Sequence, residues 1–205
     1  MKHWRTTFGL ALATGLAVGA VAFAADQEKK KAAGPPDEKA AMEAMQKAAT
    51  PGEAHKKLEA VVGTFDTKVK TWMDPSKPPE ESTGTSENTW VLGNRYVQMK
   101  YQGTMMGQPF SGMGYQGYDN VTKKYVGTWM DSMSTGIMRT TGQADKSGKT
   151  MTMTGSAADP VTGKMVNLTE KITVKDNDHH SFEMWAPGPD GKPVKMMEIE
   201  YTRKK

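Results

Sequence analysis

From residue 64 to the C-terminus, apolar and polar side chains alternate along the chain with a period of two. Successive side chains of a β-strand point to opposite faces, so this pattern predicts strands with one apolar and one polar face. In the segment at 164–175, four apolar residues share one face: Val166, Leu168, Ile172 and Val174. Clusters of Asp, Asn, Gly and Pro interrupt the pattern and indicate turns. About ten strands are therefore predicted, at 64–73, 81–91, 95–103, 109–118, 124–133, 136–144, 149–157, 164–175, 179–186 and 194–203.

These strands predict an all-β fold. Consecutive strands that are joined by short turns are antiparallel neighbours, and no stretch between them is long enough to form a crossover helix. A sheet of about ten strands curls, and closure removes its exposed edges. We therefore expect an antiparallel up-and-down β-barrel whose inner face is apolar. A sandwich of two sheets is the alternative.

A short helix is predicted at 51–62, where it would cap the barrel. Thr50, Pro51 and Glu53 form the pattern of a capping box. In this motif a hydroxyl group accepts a free N–H group of the first turn, proline occupies the first helical position, and glutamate follows. Gly63 is a typical end for the helix, at the point where the β pattern begins.

Residues 25–49 are rich in Ala, Lys and Glu and contain no aromatic residue. A segment of this composition buries little surface. We interpret it as a flexible linker with a marginal helix near 37–48. Met42 and Met45 give that helix a weak apolar edge, which either docks on the domain or stays exposed.

The first 24 residues have the three parts of a secretory signal sequence. Lys2 and Arg5 form a basic start, residues 8–23 are apolar or small, and Ala24 completes an Ala-Phe-Ala cleavage pattern. The apolar stretch is shorter than the roughly 20 residues of a membrane-spanning helix, so cleavage after Ala24 is favoured over a retained anchor. We expect export to the periplasm of a Gram-negative bacterium, without membrane insertion after cleavage, and a barrel domain at 50–205.

Charge and cysteine content narrow the function classes. The formal net charge is +4, and loss of Lys2 and Arg5 with the signal sequence lowers it to +2. A charge so close to neutral gives no electrostatic reason to expect a nucleic-acid partner. The chain has no cysteine, so it has neither disulfides nor a lipid-bearing cysteine, and an exported protein does not require them.

Four short stretches carry a resemblance to a known family. They are MMGQPF at 105–110, GYDN at 117–120, YVGTW at 125–129 and DSMSTG at 131–136. Together they resemble the bacterial family of domain of unknown function 1579, over roughly residues 52–203. The resemblance implies a lipocalin-like β-barrel. It implies no reaction, cofactor or partner.

Two carboxylates stand out as candidate site residues. Glu170 falls between Leu168 and Ile172 on the apolar face of its strand, where an unpaired carboxylate is costly. It is paired with a cation such as Arg95 or Arg139, turned outward by a bulge, or part of a solvated cavity. Asp131 has inward parity too. We hypothesise an apolar pocket with a few polar contacts, formed by Glu170, Asp131, Trp129, Tyr125, Arg95 and Met133.

Metal binding is a weaker hypothesis. Asp176, Asp178, His179 and His180 cluster at a predicted turn, and carboxylate with imidazole suits Zn²⁺. However, the adjacent histidines should point to opposite faces, and aspartates are ordinary turn residues. The 17 methionines recur at alternating strand positions, which is typical of core or pocket filling rather than of a Cu(I) site. We therefore predict no metal site.

No recognised catalytic arrangement is present in the sequence. A relay of Ser132, His180 and Asp131 is conceivable, but Asp131 and Ser132 should project to opposite faces. His55, on the short helix, is expected to be a solvated surface residue. The first hypothesis is thus a non-catalytic module that binds a small apolar or amphipathic molecule inside the barrel. An envelope interaction or stress protein with a filled barrel is the alternative, and an enzyme of unfamiliar type ranks third. Oligomeric state stays open.

Overall fold

The computed structural model describes residues 37–160 and 162–205. Ten antiparallel strands close into a barrel in which each strand pairs with its neighbours in sequence and the last pairs with the first. The strands are β1 (Gly63–Thr71), β2 (Glu80–Val91), β3 (Tyr96–Met105), β4 (Gln108–Asp119), β5 (Lys124–Asp131), β6 (Met138–Ala144), β7 (Thr150–Ala158), β8 (Met165–Val174), β9 (His179–Pro187) and β10 (Pro193–Arg203). The predicted signal sequence at 1–24 and the linker up to residue 36 lie outside the described residues.

All ten predicted strands are present, and the up-and-down barrel is confirmed in preference to the sandwich. The predicted parity of β8 also holds. Val166, Leu168, Ile172 and Val174 alternate with polar residues along this strand, of which Asn167 and Lys171 are exposed. On β10, a bulge at Met196 shifts the register between Lys195 and Met197.

The predicted helix at 51–62 is two shorter elements. Helix α2 (Glu53–Lys56) runs directly into a 3₁₀ helix (Lys57–Val61). The predicted capping role of Thr50 is wrong, because its hydroxyl donates to the carbonyl of Gln46 at the end of helix α1 (Glu38–Ala49). At α2 the ring of His55 accepts the backbone N–H of Gly52 instead, over 3.1 Å.

Helix α1 occupies the segment of the predicted marginal helix. It buries none of its residues, and Met42 and Met45 are exposed. Its C-terminal end is nevertheless tied to the barrel, because the amide of Asn120 donates to the carbonyls of Ala48 and Thr50. No helix among the described residues is long and apolar enough to cross a membrane.

The barrel has two unlike ends. At one, which we call the helix end, Leu58 of the 3₁₀ helix packs into a buried cluster with Val97, Tyr125 and Met153. We call the other end the mouth. It is bordered by the connections that follow β1, β3, β5, β7 and β9, and no helix of the described chain covers it. A second cluster of Val69, Tyr101 and Phe110 lies inside the barrel, with Trp129 packed against it.

Candidate functional site

The inner face of β8 carries a buried carboxyl group. Glu170 is 7% exposed and pairs across the sheet with Met153 on β7 and Met184 on β9. Burial raises the pKa of Glu170 from 4.5 to about 7, and a hydrogen bond with Thr140 on β6 opposes this rise only in part. Within the described residues no cation pairs with it, so Glu170 is a carboxyl group held in an apolar setting without a countercharge.

The phenol of Tyr201 on β10 lies near this carboxyl group inside the barrel, and the phenol of Tyr101 lies near Tyr201. Burial raises the pKa of Tyr201 on β10, and the neighbouring Tyr101 and Glu170 raise it further. The hydroxyl of Tyr101 lies 3.4 Å from that of Thr67 on β1. The raised pKa keeps the phenol of Tyr201 protonated at neutral pH, so it offers the interior a hydrogen-bond donor as well as an acceptor.

One side of the interior is lined by apolar side chains that are only half-buried. The inner faces of β8 and β9 carry six half-buried apolar side chains, which we call the β8–β9 wall: Val166, Leu168, Ile172, Phe182, Met184 and Ala186. In the described chain, none of them packs against either buried cluster. A side chain inside a closed barrel keeps accessible surface only where the interior is not filled by other side chains. The wall is therefore less tightly packed than the two clusters, and Glu170 lies between Leu168 and Ile172 on the same face of β8.

Trp129 and Asp131 lie at the end of β5 next to the mouth. The indole N–H of Trp129 donates to the carboxylate of Asp131 over 3.1 Å, and the same carboxylate accepts the backbone N–H of Met133. The indole ring lies over Gly112 on β4, where a Cβ atom would be only 2.3 Å from it. Asp131 and the glycine together hold the ring in one orientation.

His180 lies inside the barrel toward the helix end and is 4% exposed. Its ring stacks on Tyr201, with centroids 4.2 Å apart, and meets the edge of Phe65. Among the described atoms, its Nδ1 has no hydrogen-bond partner. Burial lowers the pKa of His180 to about 4, and the charge of Arg203 lowers it further, so the imidazole is neutral at neutral pH.

The chain matches one known protein family over most of its length. The family described as "Protein of unknown function (DUF1579)" matches residues 50–203, which is most of the chain. This chain belongs to the DUF1579 family. The resemblance in the four short sequence stretches is thereby confirmed. No curated protein sequence matches the chain.

The solved structures similar to this DUF1579 protein have low sequence identity to it. Rv2717c from M. tuberculosis is 16% identical, with a TM-score of 0.57, and the match covers 76% of this chain and all of that one. The S-type phycobiliprotein lyase CPES from Guillardia theta is 12% identical, with a TM-score of 0.49 over 76% of this chain and 99% of that one. A de novo designed fluorescence-activating β-barrel is 14% identical, with a TM-score of 0.41 over 75% of this chain and all of that one.

Several of the predicted site residues of the DUF1579 protein face the barrel interior. Glu170, Trp129 and Asp131 all face inward, as their parity predicts. Tyr125 is also inside, but it belongs to the cluster at the helix end and donates its hydroxyl to the carbonyl of Ala54.

Two predicted site residues of the DUF1579 protein lie outside the strands. Met133 follows the last residue of β5 and is exposed. Arg95 is exposed in the turn before β3 and donates to the carbonyl of Leu92. The pairing of Glu170 with Arg95 or Arg139 is wrong, because both arginines are exposed; the hydrogen-bonding group that reaches Glu170 is Thr140.

The interpretation of His55 as a solvated residue is also wrong. It is 4% exposed, its Nδ1 accepts the N–H of Gly52, and the backbone of Tyr118 hydrogen bonds to the ring. Burial lowers its pKa, so the neutral ring required by the hydrogen bond from Gly52 is favoured. His55 is therefore a structural residue of the DUF1579 barrel.

The cluster at the turn between β8 and β9 has ordinary turn chemistry. The carboxylate of Asp176 accepts the backbone N–H groups of Asp178 and His179, while His180 points into the barrel. The described residues contain no group of three or more side chains placed to bind a metal ion. The catalytic relay considered from the sequence is not assembled. Asp131 and Ser132 lie beside the mouth, whereas His180 lies toward the helix end.

Proposed function

We propose that the barrel binds a small amphipathic molecule in the space along the β8–β9 wall. The observation that carries this proposal is Glu170, a buried carboxyl group without a countercharge beside half-buried apolar side chains. Such a group costs folding free energy that an apolar residue would not. A concave apolar region with a strongly perturbed carboxyl group is a characteristic arrangement for a ligand site.

The chemistry of the interior indicates what kind of molecule fits. The wall receives a hydrocarbon portion, while the protonated carboxyl group of Glu170 donates a hydrogen bond to an oxygen acceptor such as a carbonyl or carboxylate. The phenol of Tyr201 supplies a second polar contact nearby. The proposed ligand is therefore a mainly apolar molecule with one oxygen-bearing polar group.

The proposed place of action is the periplasm. The basic start, the apolar stretch at 8–23 and the small residues that end at Ala24 support export and cleavage. A binding module without a catalytic arrangement would there hold or carry its ligand rather than transform it.

A fluorescent fatty-acid analogue, 11-(dansylamino)undecanoic acid, tests the proposal by titration at pH 6. We expect dansyl emission to increase as the probe enters the apolar interior. Leu168→Trp fills space along the wall and should weaken binding at least tenfold. Val121→Trp, a control at an exposed turn position, should leave binding unchanged.

Glu170 is tested with the same probe at two pH values. At pH 8 the ionised carboxylate of Glu170 should repel the probe's carboxylate, and binding should weaken severalfold relative to pH 6. Glu170→Gln should remove most of this difference, whereas Glu87→Gln on the exposed face of β2 should preserve it. Absence of an emission increase with the correctly folded wild-type protein would contradict the proposal and favour a filled barrel.

A further inference from the structure

A cleft lies at the helix end of the barrel. It is enclosed by the 3₁₀ helix, the turn between β6 and β7 and the turn between β8 and β9, and its volume is about 540 Å³. Sites for small molecules commonly have volumes of about 300–1,000 Å³. No residue that lines this cleft belongs to the β8–β9 wall, so the cleft is separate from the proposed site inside the barrel.

The charged side chains of the cleft include more cations than carboxylates. They are Lys56, Lys57, Lys149 and Arg203, with Glu59 and Asp178. Two of the cations are neutralised, because Lys56 lies 2.6 Å from the carboxylate of Glu53 and Arg203 lies 3.4 Å from that of Asp178. The carboxylate of Glu59 accepts the indole N–H of Trp90 over 2.7 Å, and Trp90 does not line this cleft. The positive charges of Lys57 and Lys149 are therefore left in excess.

Lys57 and Lys149 are both exposed, and among the described residues neither has a carboxylate within ion-pair distance. Folding nevertheless brings their chain segments together. A Cβ atom at Gly148, the neighbour of Lys149, would lie only 2.6 Å from the Nζ atom of Lys57. Like charges that line one cleft repel each other and concentrate ions of the opposite sign. The two lysines therefore favour an anionic occupant.

We propose that this cleft binds a phosphate monoester that carries a small apolar group. A phosphate monoester has about two negative charges at neutral pH, which matches the two ammonium groups without a countercharge. Lysine is a common phosphate-binding residue. The side-chain amide of Asn177, which also lines the cleft, can donate a hydrogen bond to a phosphate oxygen.

The apolar part of the cleft indicates where the organic group lies. The side chains of Ala60, Val62 and Val174 belong to the lining, next to the cations. An apolar group on the phosphate ester is stabilised by contact with these side chains because it leaves water. Inorganic phosphate matches the charges but cannot make this contact.

The phosphate ester 1-naphthyl phosphate tests the proposal by isothermal titration calorimetry with the full chain at pH 7.5. We expect saturable binding of one molecule per chain. Two analogues should each bind at least tenfold more weakly: 1-naphthol, which has no phosphate group, and 1-naphthoate, which has a single negative charge. Inorganic phosphate should also bind more weakly than the ester, because it lacks the apolar group.

A matched pair of double variants locates the site. Lys57→Gln with Lys149→Gln removes both ammonium groups and should weaken the binding of 1-naphthyl phosphate at least tenfold. Lys100→Gln with Lys124→Gln changes the net charge by the same amount. These two lysines are exposed on β3 and β5 and do not line the cleft, so binding should be preserved. Circular dichroism verifies that both variants are folded.

Three outcomes would overturn the proposal. One is no saturable binding of 1-naphthyl phosphate to the folded protein. Another is equal weakening in both double variants, which would show a general attraction to the positive charge of the chain. The third is binding of 1-naphthol or 1-naphthoate as tight as that of the ester. The dansyl probe of the barrel interior is titrated without phosphate esters, so its result is independent of all three.

Discussion

The barrel interior contains two buried ionisable side chains whose pKa values are shifted in opposite directions. The pKa of Glu170 is raised to about 7 and that of His180 is lowered to about 4, in both cases mainly by burial. Both groups are therefore held in their neutral forms between these values. Because the unfolded chain titrates them near 4.5 and 6.5, each group links folding to pH over its own window.

Glu170→Gln should stabilise the protein at alkaline pH. The folded carboxyl group keeps its proton to a higher pH than the unfolded one, so stability is lost as pH rises from 4.5 to about 7. This loss amounts to roughly 3 kcal/mol at pH 8 if one pKa unit corresponds to about 1.4 kcal/mol. Urea unfolding should show Glu170→Gln more stable than wild type at pH 8, with the difference much smaller at pH 4.5.

Glu87→Gln, the exposed counterpart on β2, provides the control and should change stability little at either pH. A Glu170→Gln protein no more stable than wild type at pH 8 would show that the buried carboxylate is better solvated than its position indicates. The predicted gain in stability has a functional meaning. Because Glu170 destabilises the fold at neutral pH and above, its presence is better explained by a role in binding than by a role in folding.

At the scale of elements, the alternating pattern predicted every strand because both faces of each strand have distinct surroundings. The ends of strands were less accurate, as at Met133, whose parity continues that of β5 although the strand ends at Asp131. There the carboxylate of Asp131 accepts the N–H of Met133 and turns the chain, a contact that alternation cannot reveal. The role of His55 was missed because Tyr118, whose backbone hydrogen bonds to the ring, is far from it in sequence and is brought to it by folding.

The close approach of β4 and the Trp129 ring gives a prediction at this scale. A Cβ atom at Gly112 would lie 2.3 Å from the indole, so Gly112→Ala must displace the ring or the strand. We expect destabilisation of about 1–3 kcal/mol, measured by urea unfolding, together with a shift of tryptophan emission. Gly136→Ala is the matched control, because a Cβ atom there meets no atom within 4 Å. Equal stability of the two variants would contradict the fixed orientation of the ring.

At the scale of the whole molecule, the barrel is closed by Leu58 at one end, whereas no helix of the described chain covers the mouth at the other. The sequence predicted the barrel and the inward position of Glu170, since both follow from parity. It could not show the difference between the ends, because the connections that border the mouth are far apart in sequence. Met73 and Met165 come to the same end of the barrel only when the sheet closes.

Export provides the prediction that concerns the whole chain. The small residue Ala24 ends the cleavage pattern, so expression of the full chain in a Gram-negative host should give a periplasmic protein whose intact mass lacks residues 1–24. Ala24→Leu should prevent this cleavage and leave the longer chain associated with the membrane, while Ala20→Leu, within the apolar stretch, should allow it. A full-length product in the cytoplasmic fraction would contradict export. It would also remove the periplasmic setting of the proposed function, but it would not affect ligand binding by the purified barrel, since that binding is measured with a probe in solution.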